Sequence, residues 1–202
     1  SPCLRAAGVE ERFDLFAGFR VLCALREGPF GVEAINRLIE EILSRKGLIR
    51  ASSLHYHGRP VLVTSNDYTV KLFNGDIGFI LADELDGELR AFFPGPDGTV
   101  RRISLARLPE HETAFAMTVH KSQGSEFSRV VLVLPPKESP VLTRELVYTG
   151  ITRASRRLDI WASPNIFAAA VRRRTERMSG LNDLLKDRGP GGNSGDSSLR
   201  RP

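Results

Sequence analysis

Residues 130–134, Val-Val-Leu-Val-Leu, form an unbroken apolar run closed by Pro135 and Pro136. A strand with one face in water alternates apolar and polar side chains. A strand without that alternation is buried on both faces, as in a parallel sheet covered by helices on each side. Phe19–Leu25 reads as a second short buried strand. Gly28, Pro29 and Gly31 follow it as a loop, and then Val32, Ile35, Leu38, Ile39 and Ile42 recur at helical spacing. Strand, glycine loop and helix in that order predict an α/β layer fold. The same reading gives a strand over 114–119 and a helix over 145–157 with Val147, Ile151, Ala154 and Leu158 on one side. A closing strand over Leu158–Ala162 and a basic helix or helix pair over 165–187 complete it.

Residues 59–105 have another rhythm. Short apolar runs (Val61–Thr64, Ile77–Leu81, Leu89–Phe93, Val100–Ile103) are separated by Asn74-Gly75-Asp76, Asp86-Gly87 and the proline- and glycine-rich stretch 94–98. Such spacing predicts a small antiparallel barrel or meander, placed as an insertion because the α/β pattern resumes after Pro109. From Arg188 onward the composition is that of a disordered tail.

The 202 residues suit one domain, or one domain with a small insertion, and 41% hydrophobic residues supply a core. A formal charge of +5 favours a polyanionic partner, nucleic acid first, although modest basicity is also common without one. Eleven arginines fall between 144 and 201, Arg172, Arg173, Arg174 and Arg177 among them, which favours a working surface; solvated helix faces explain them equally. Two cysteines, Cys3 and Cys23, give no disulfide framework and fit a reducing cytoplasm. No apolar run approaches the roughly 18 residues that span a bilayer, so no membrane association is expected. The opening Ser-Pro-Cys-Leu-Arg has neither an apolar leader nor an initiator Met, which reads as a piece of a longer chain. His55 and His57 flank Tyr56 with no third ligand nearby, so a surface loop and no metal site are expected there.

Two segments carry chemistry. Residues 118–127, Thr-Val-His-Lys-Ser-Gln-Gly-Ser-Glu-Phe, form a polar loop between buried strands, and loops at strand C-termini in parallel sheets are where ligands bind. The loop gathers His120, Lys121, Ser122 and Gln123 as donors, Gly124 for close backbone approach and Glu126 as a carboxylate. The plain alternative is a surface loop with a helix cap at Ser122 or Ser125. In the second segment, 145–154, Arg153 lies one helical turn from Thr149 and another from Arg157. A guanidinium held in this way stabilises charge on a transferred γ-phosphoryl group. A solvated basic face of Arg153, Arg156 and Arg157 is equally compatible with the spacing.

Both segments, in this order and spacing, resemble motifs V and VI of superfamily 1 helicases, in the form seen in the RecD branch. The strings FRVLCALREGPFG (19–31), LFNGDIG (72–78), RLPEHET (107–113) and TRELVY (143–148) resemble the same branch, so the likeness covers roughly residues 19–185. Motors of this family have two RecA-like domains with ATP between them, the first supplying the phosphate loop and the magnesium-binding acid. No G-x-x-x-x-G-K-[ST] string occurs here. The resemblance therefore implies the second RecA-like domain alone: residues 1–66 and 109–187, a parallel sheet with flanking helices, interrupted by an SH3-like barrel at 67–108, with 188–202 a disordered tail.

Residue by residue, the resemblance implies Arg153 as the γ-phosphate arginine, and Gly124, Glu126 and Arg26 on the nucleotide side. It implies Thr118, His120, Gln123 and Asn66 on the DNA side; Asn66-Asp67 is also a simple turn. ATP and Mg2+ are the implied cofactors, the magnesium ligands lying on the other domain. Single-stranded DNA, that other domain, and RecB and RecC subunits of a repair nuclease are the implied partners, with 5′ to 3′ movement. Another superfamily 1 helicase (stand-alone RecD-like, or a relaxase-helicase) and a non-catalytic docking module remain open. Gly150 departs from good helix chemistry, costing about 1 kcal/mol relative to alanine, unless close packing requires it.

Overall fold

The computed structural model describes residues 2–5 and 8–174. The expected tail at 188–202, the end of the expected basic helix and Arg177 lie outside the described residues.

Four parallel strands in the order β7-β1-β8-β9 make the first sheet: β1 (Phe19–Cys23), β7 (Ala116–Thr118), β8 (Phe127–Val133) and β9 (Ala154–Trp161). The unbroken run in β8 is explained by what covers it. Val130 and Leu132 pack with Leu146 and Val147 of α4 (Arg144–Ile151) and with Ile166 and Ala170 of α5 (Pro164–Arg172). Val131 and Val133 face the other way, towards Val32, Ile35 and Ile39 of α3 (Val32–Arg45). The expected α/β layering is therefore present, with helices on both faces of a parallel sheet. The stripe on α3 is wider than the surface it covers, because Leu38 and Ile42 remain 45% and 36% exposed.

The helix expected over 145–157 stops at Ile151, and β9 begins at Ala154. Ile151, Ala154 and Leu158 match helical spacing, but 154–161 pair in parallel with 127–133 of β8, with a register shift between Phe127 and Arg129. As an edge strand, β9 leaves Arg156 and Arg157 in water, so it lacks the apolar signature of a central strand. The close approach inferred for Gly150 is real. A Cβ there would stand 3.0 Å from Leu132 Cδ1 and 3.5 Å from Val119 Cγ2.

The second sheet is antiparallel, with order β5-β4-β3-β2-β6: β2 (Arg59–Val63), β3 (Ile77–Ala82), β4 (Leu89–Pro94), β5 (Val100–Ser104) and β6 (His111–Thr113). It extends beyond 67–108, since β2 and β6 flank that span. The reason is burial: Val61 and Val63 share a core with Leu72, Ile80, Ala91 and Phe93. Its two edges, β5 and β6, do not pair with each other among the described residues, so the element is a five-stranded sheet where a barrel was expected.

Helix α2 (Val9–Ala17) joins the two sheets. Phe16 lies edge-on to Phe79 of β3 at 4.9 Å between centroids. The short α1 (Pro2–Arg5) adds Cys3 to this core. Asn36 fastens the passage from β6 to β7: Nδ2 donates to the carbonyls of Thr113 (2.8 Å) and Ala116 (3.1 Å), and Oδ1 accepts from the Ala116 amide (2.8 Å).

Candidate nucleotide and nucleic-acid interface

Residues 118–127 leave the C-terminal end of β7, pass across the sheet and enter the N-terminal end of β8, with β1 between the two strands. A 3-10 turn at His120–Ser122 stands where longer crossovers place a helix. Ser122 is wholly buried and donates to the Val119 carbonyl at 2.7 Å, so it is a structural anchor and offers no donor to a ligand. Thr118 Oγ1 accepts from the Lys121 amide at 3.2 Å. His120, Gln123, Gly124, Ser125 and Glu126 are exposed. Gly124 holds φ +83, a left-handed conformation that glycine adopts without strain.

At the N-terminal edge of the strands, Arg153 occupies the turn between α4 and β9. Its Nη1 donates to the Ser125 carbonyl (3.0 Å), Nε to the Thr149 carbonyl (3.2 Å) and Nη2 to Thr152 Oγ1 (3.2 Å). Its own carbonyl accepts from the Phe127 amide at 2.8 Å. Arg153 is thus tied to the crossover loop through both side chain and backbone. A guanidinium has five N–H groups. The three bonds above engage one on each nitrogen, leaving a donor on each terminal nitrogen to meet an anion. Gly124, Glu126 and Arg153 come together at this edge.

Arg26 does not join them. It follows the C-terminal end of β1, the opposite edge, and reaches Glu33 (3.6 Å) and Glu112 (3.9 Å). Glu112, on β6, also accepts from Lys121 Nζ at 2.8 Å, with both side chains about a quarter exposed. One carboxylate thereby holds two cations from two loops. Arg26, Lys121, Glu112, Thr64 and Asn74 line one recess at this edge, next to Thr118 and His120. Asn66 is exposed on the same β2–β3 loop, and its Oδ1 accepts from the Asn74 amide at 2.8 Å. Glu112 carried no local signal in the sequence, because its partners lie 86 and 9 residues away.

The two histidines beside Tyr56 diverge. His57 Nδ1 accepts from the Ala82 amide at 3.0 Å, while His55 stacks on His111 with centroids 5.7 Å apart. Burial lowers the pKa of all three imidazoles. Among the described residues no group of three His, Cys, Asp or Glu side chains is placed to hold a metal ion. Neither cysteine is part of a disulfide among the described residues; both are buried, and burial pushes the Cys23 thiol up to about 12.

The model of the UvrD-like helicase C-terminal domain matches residues 113–160. That span holds β7, the whole edge-to-edge loop, β8, α4 and Arg153. The Pif1 helicase of Candida albicans has a similar fold, with a TM-score of 0.50 over 85% of this chain and 50% of its own, at 14% identity. The matched segment is that of a UvrD-like helicase C-terminal domain, and the fold is one that a helicase structure shares. More narrowly, the chain belongs to the RecD family. It is 43% identical over 85% of its length to the RecBCD enzyme subunit RecD of Haemophilus influenzae. It is 42% identical over 85% to that of Mycobacterium tuberculosis, and 34% identical over 83% to the ATP-dependent RecD2 DNA helicase of Deinococcus radiodurans. The matches cover 26%, 29% and 23% of those relatives, so the chain spans under a third of their length.

Proposed function

We propose that this chain is the second RecA-like domain of a RecD-type motor that hydrolyses ATP to move 5′ to 3′ along single-stranded DNA. In this reading it works in double-strand-break repair with RecB and RecC subunits. The observation that carries the proposal is the crossover loop, which meets Arg153 at one edge of the sheet and presents its own Thr118, His120 and Lys121 at the other. Nucleotide at the first edge and DNA at the second are then joined by one short stretch of backbone. Arg153 reaches the γ-phosphate, where a finger arginine contributes about 10³–10⁵ in rate. Gly124 and Glu126 flank the nucleotide, while Thr118, His120, Gln123 and Asn66 contact the strand. The position of Arg26 at the recess supports a DNA-side role for it over a nucleotide contact.

In this reading the triphosphate and Mg2+ are held mainly by a separate N-terminal domain that carries the phosphate loop, a string this sequence does not contain. Such a motor is cytoplasmic, and no helix among the described residues is long and apolar enough to cross a membrane. In this reading the antiparallel sheet, with β6 returning beside β2 after a 3-10 turn at Leu105–Arg107, stands where the family's motors carry their SH3-like insertion.

Two experiments test the proposal. The full-length protein should displace streptavidin from the 3′ end of a single strand and not from the 5′ end. The 202-residue chain, shown by circular dichroism to be folded, should not hydrolyse ATP with DNA present. Displacement from the 5′ end, or robust turnover by the chain alone, refutes the respective part.

A further inference from the structure

The loop between β2 and β3 is built more stiffly than a connector requires. Asp67 and Leu72 exchange both backbone hydrogen bonds, at 2.7 and 3.0 Å. Asp67 Oδ1 accepts from the amides of Thr69 (2.8 Å) and Val70 (3.2 Å), and Asp76 Oδ2 from that of Phe73 (2.9 Å). Lys71 holds φ 52 and is the one non-glycine with positive φ among the described residues, a conformation retained where its surroundings enforce it. Arg101 of β5 enforces it by donating to the carbonyls of Lys71, at 2.9 Å, and Val70. Leu72, wholly buried, anchors the turn from below.

What this scaffold holds out to water is aromatic. Tyr68 is 76% exposed and Phe73 44%, their rings 5.9 Å apart at 74°, with exposed Lys71 on the same turn. We propose that Tyr68 and Phe73 are a stacking platform for the bases of a single DNA strand, with the Lys71 ammonium beside it for phosphate. This rests on the reading of the chain as part of a DNA motor. Asn74, next to Phe73, lines the recess with Arg26 and Lys121, so the platform continues the DNA edge outward. Stacking suits a motor because every base has a π-face and no sequence is read. Its polar neighbours Asp67, Thr69, Lys71 and Asn74 interrupt the contiguous apolar area expected of a protein-docking patch.

The test uses the full-length protein and oligothymidines carrying 2-aminopurine at successive positions, with affinity measured across a salt series. Tyr68→Ala should weaken binding roughly five- to hundredfold. It should abolish the quenching at one position and leave the salt slope unchanged, because stacking releases no counterions. Tyr68→Phe should bind as wild type. Lys71→Ala should lower the slope by about 0.7. The platform is overturned if Tyr68→Ala binds as tightly as wild type. It is equally overturned if that variant keeps its DNA affinity and loses assembly with partner subunits. If the wild-type protein itself does not bind single strands, the motor reading falls, and the platform with it.

Discussion

Replacing Gly150 with alanine sets two effects against each other. In a helix interior, alanine is favoured over glycine by about 1 kcal/mol, less in the last turn where Gly150 sits. Against this, the new Cβ meets Leu132 Cδ1 at 3.0 Å and Cδ2 at 3.3 Å. Leu132 is wholly buried at the centre of the parallel sheet and has little room to turn. Overpacking of such a site costs about 1–3 kcal/mol, so packing wins and the net loss is about 0.5–2 kcal/mol. For a domain of this size that lowers the Tm by roughly 1–8 °C. Thermal unfolding followed by circular dichroism reads it directly, and Gly150→Val should lose more. A Tm raised by Gly150→Ala would show that α4 lifts off β8 without cost, and the close-packing argument would be wrong.

Other perturbations follow from the same contacts. Glu112→Gln releases Arg26 and Lys121 from their shared carboxylate. Single-strand binding should tighten severalfold, with a salt slope steeper by up to about 1.4 for two freed cations; weaker binding refutes the arrangement. Arg20 is buried and donates to the carbonyls of Ala114 (3.0 Å) and Phe16 (3.5 Å), its guanidinium 3.9 Å over the Phe16 ring, and burial lowers its pKa to about 9. Arg20→Ala should cost about 3 kcal/mol in denaturant unfolding, and a loss under 1 kcal/mol would contradict its structural role. Burial lowers the pKa of His55, His57 and His111 below 6.5, so the unfolded chain binds protons that the folded chain refuses. Their contribution is present above about pH 6.5 and is lost as pH falls below it, through the lowered pKa values of the folded state. Urea midpoints should drop over that range, less steeply in His55→Gln, and a flat profile refutes it.

The parallel core was legible because burial on both faces removes polar residues from β8. The antiparallel strands were legible because Asn74-Gly75, Asp86-Gly87 and Gly98 punctuate them. β9 was not, since an edge strand needs no alternation and Ile151, Ala154 and Leu158 mimic a helix by spacing alone. The loop at 118–127 announced itself by its density of polar groups. Arg26 and Arg153 lie apart because β1 and β9 run parallel, the first arginine following the C-terminal end of its strand and the second preceding the N-terminal end of its own. Lys121 and Glu112 meet only because β6 leads back under the loop. Arg20, inside an apolar run, gave no hint of the carbonyls and the ring that surround it.

Under the proposed function, Arg153 acts on a nucleotide held mainly by another domain. Single-turnover ATP hydrolysis by the full-length protein on saturating single-stranded DNA measures this most directly. Arg153→Ala should retain nucleotide and DNA binding and lose about 10³-fold or more in the hydrolysis rate. Hydrolysis at the wild-type rate would contradict the account.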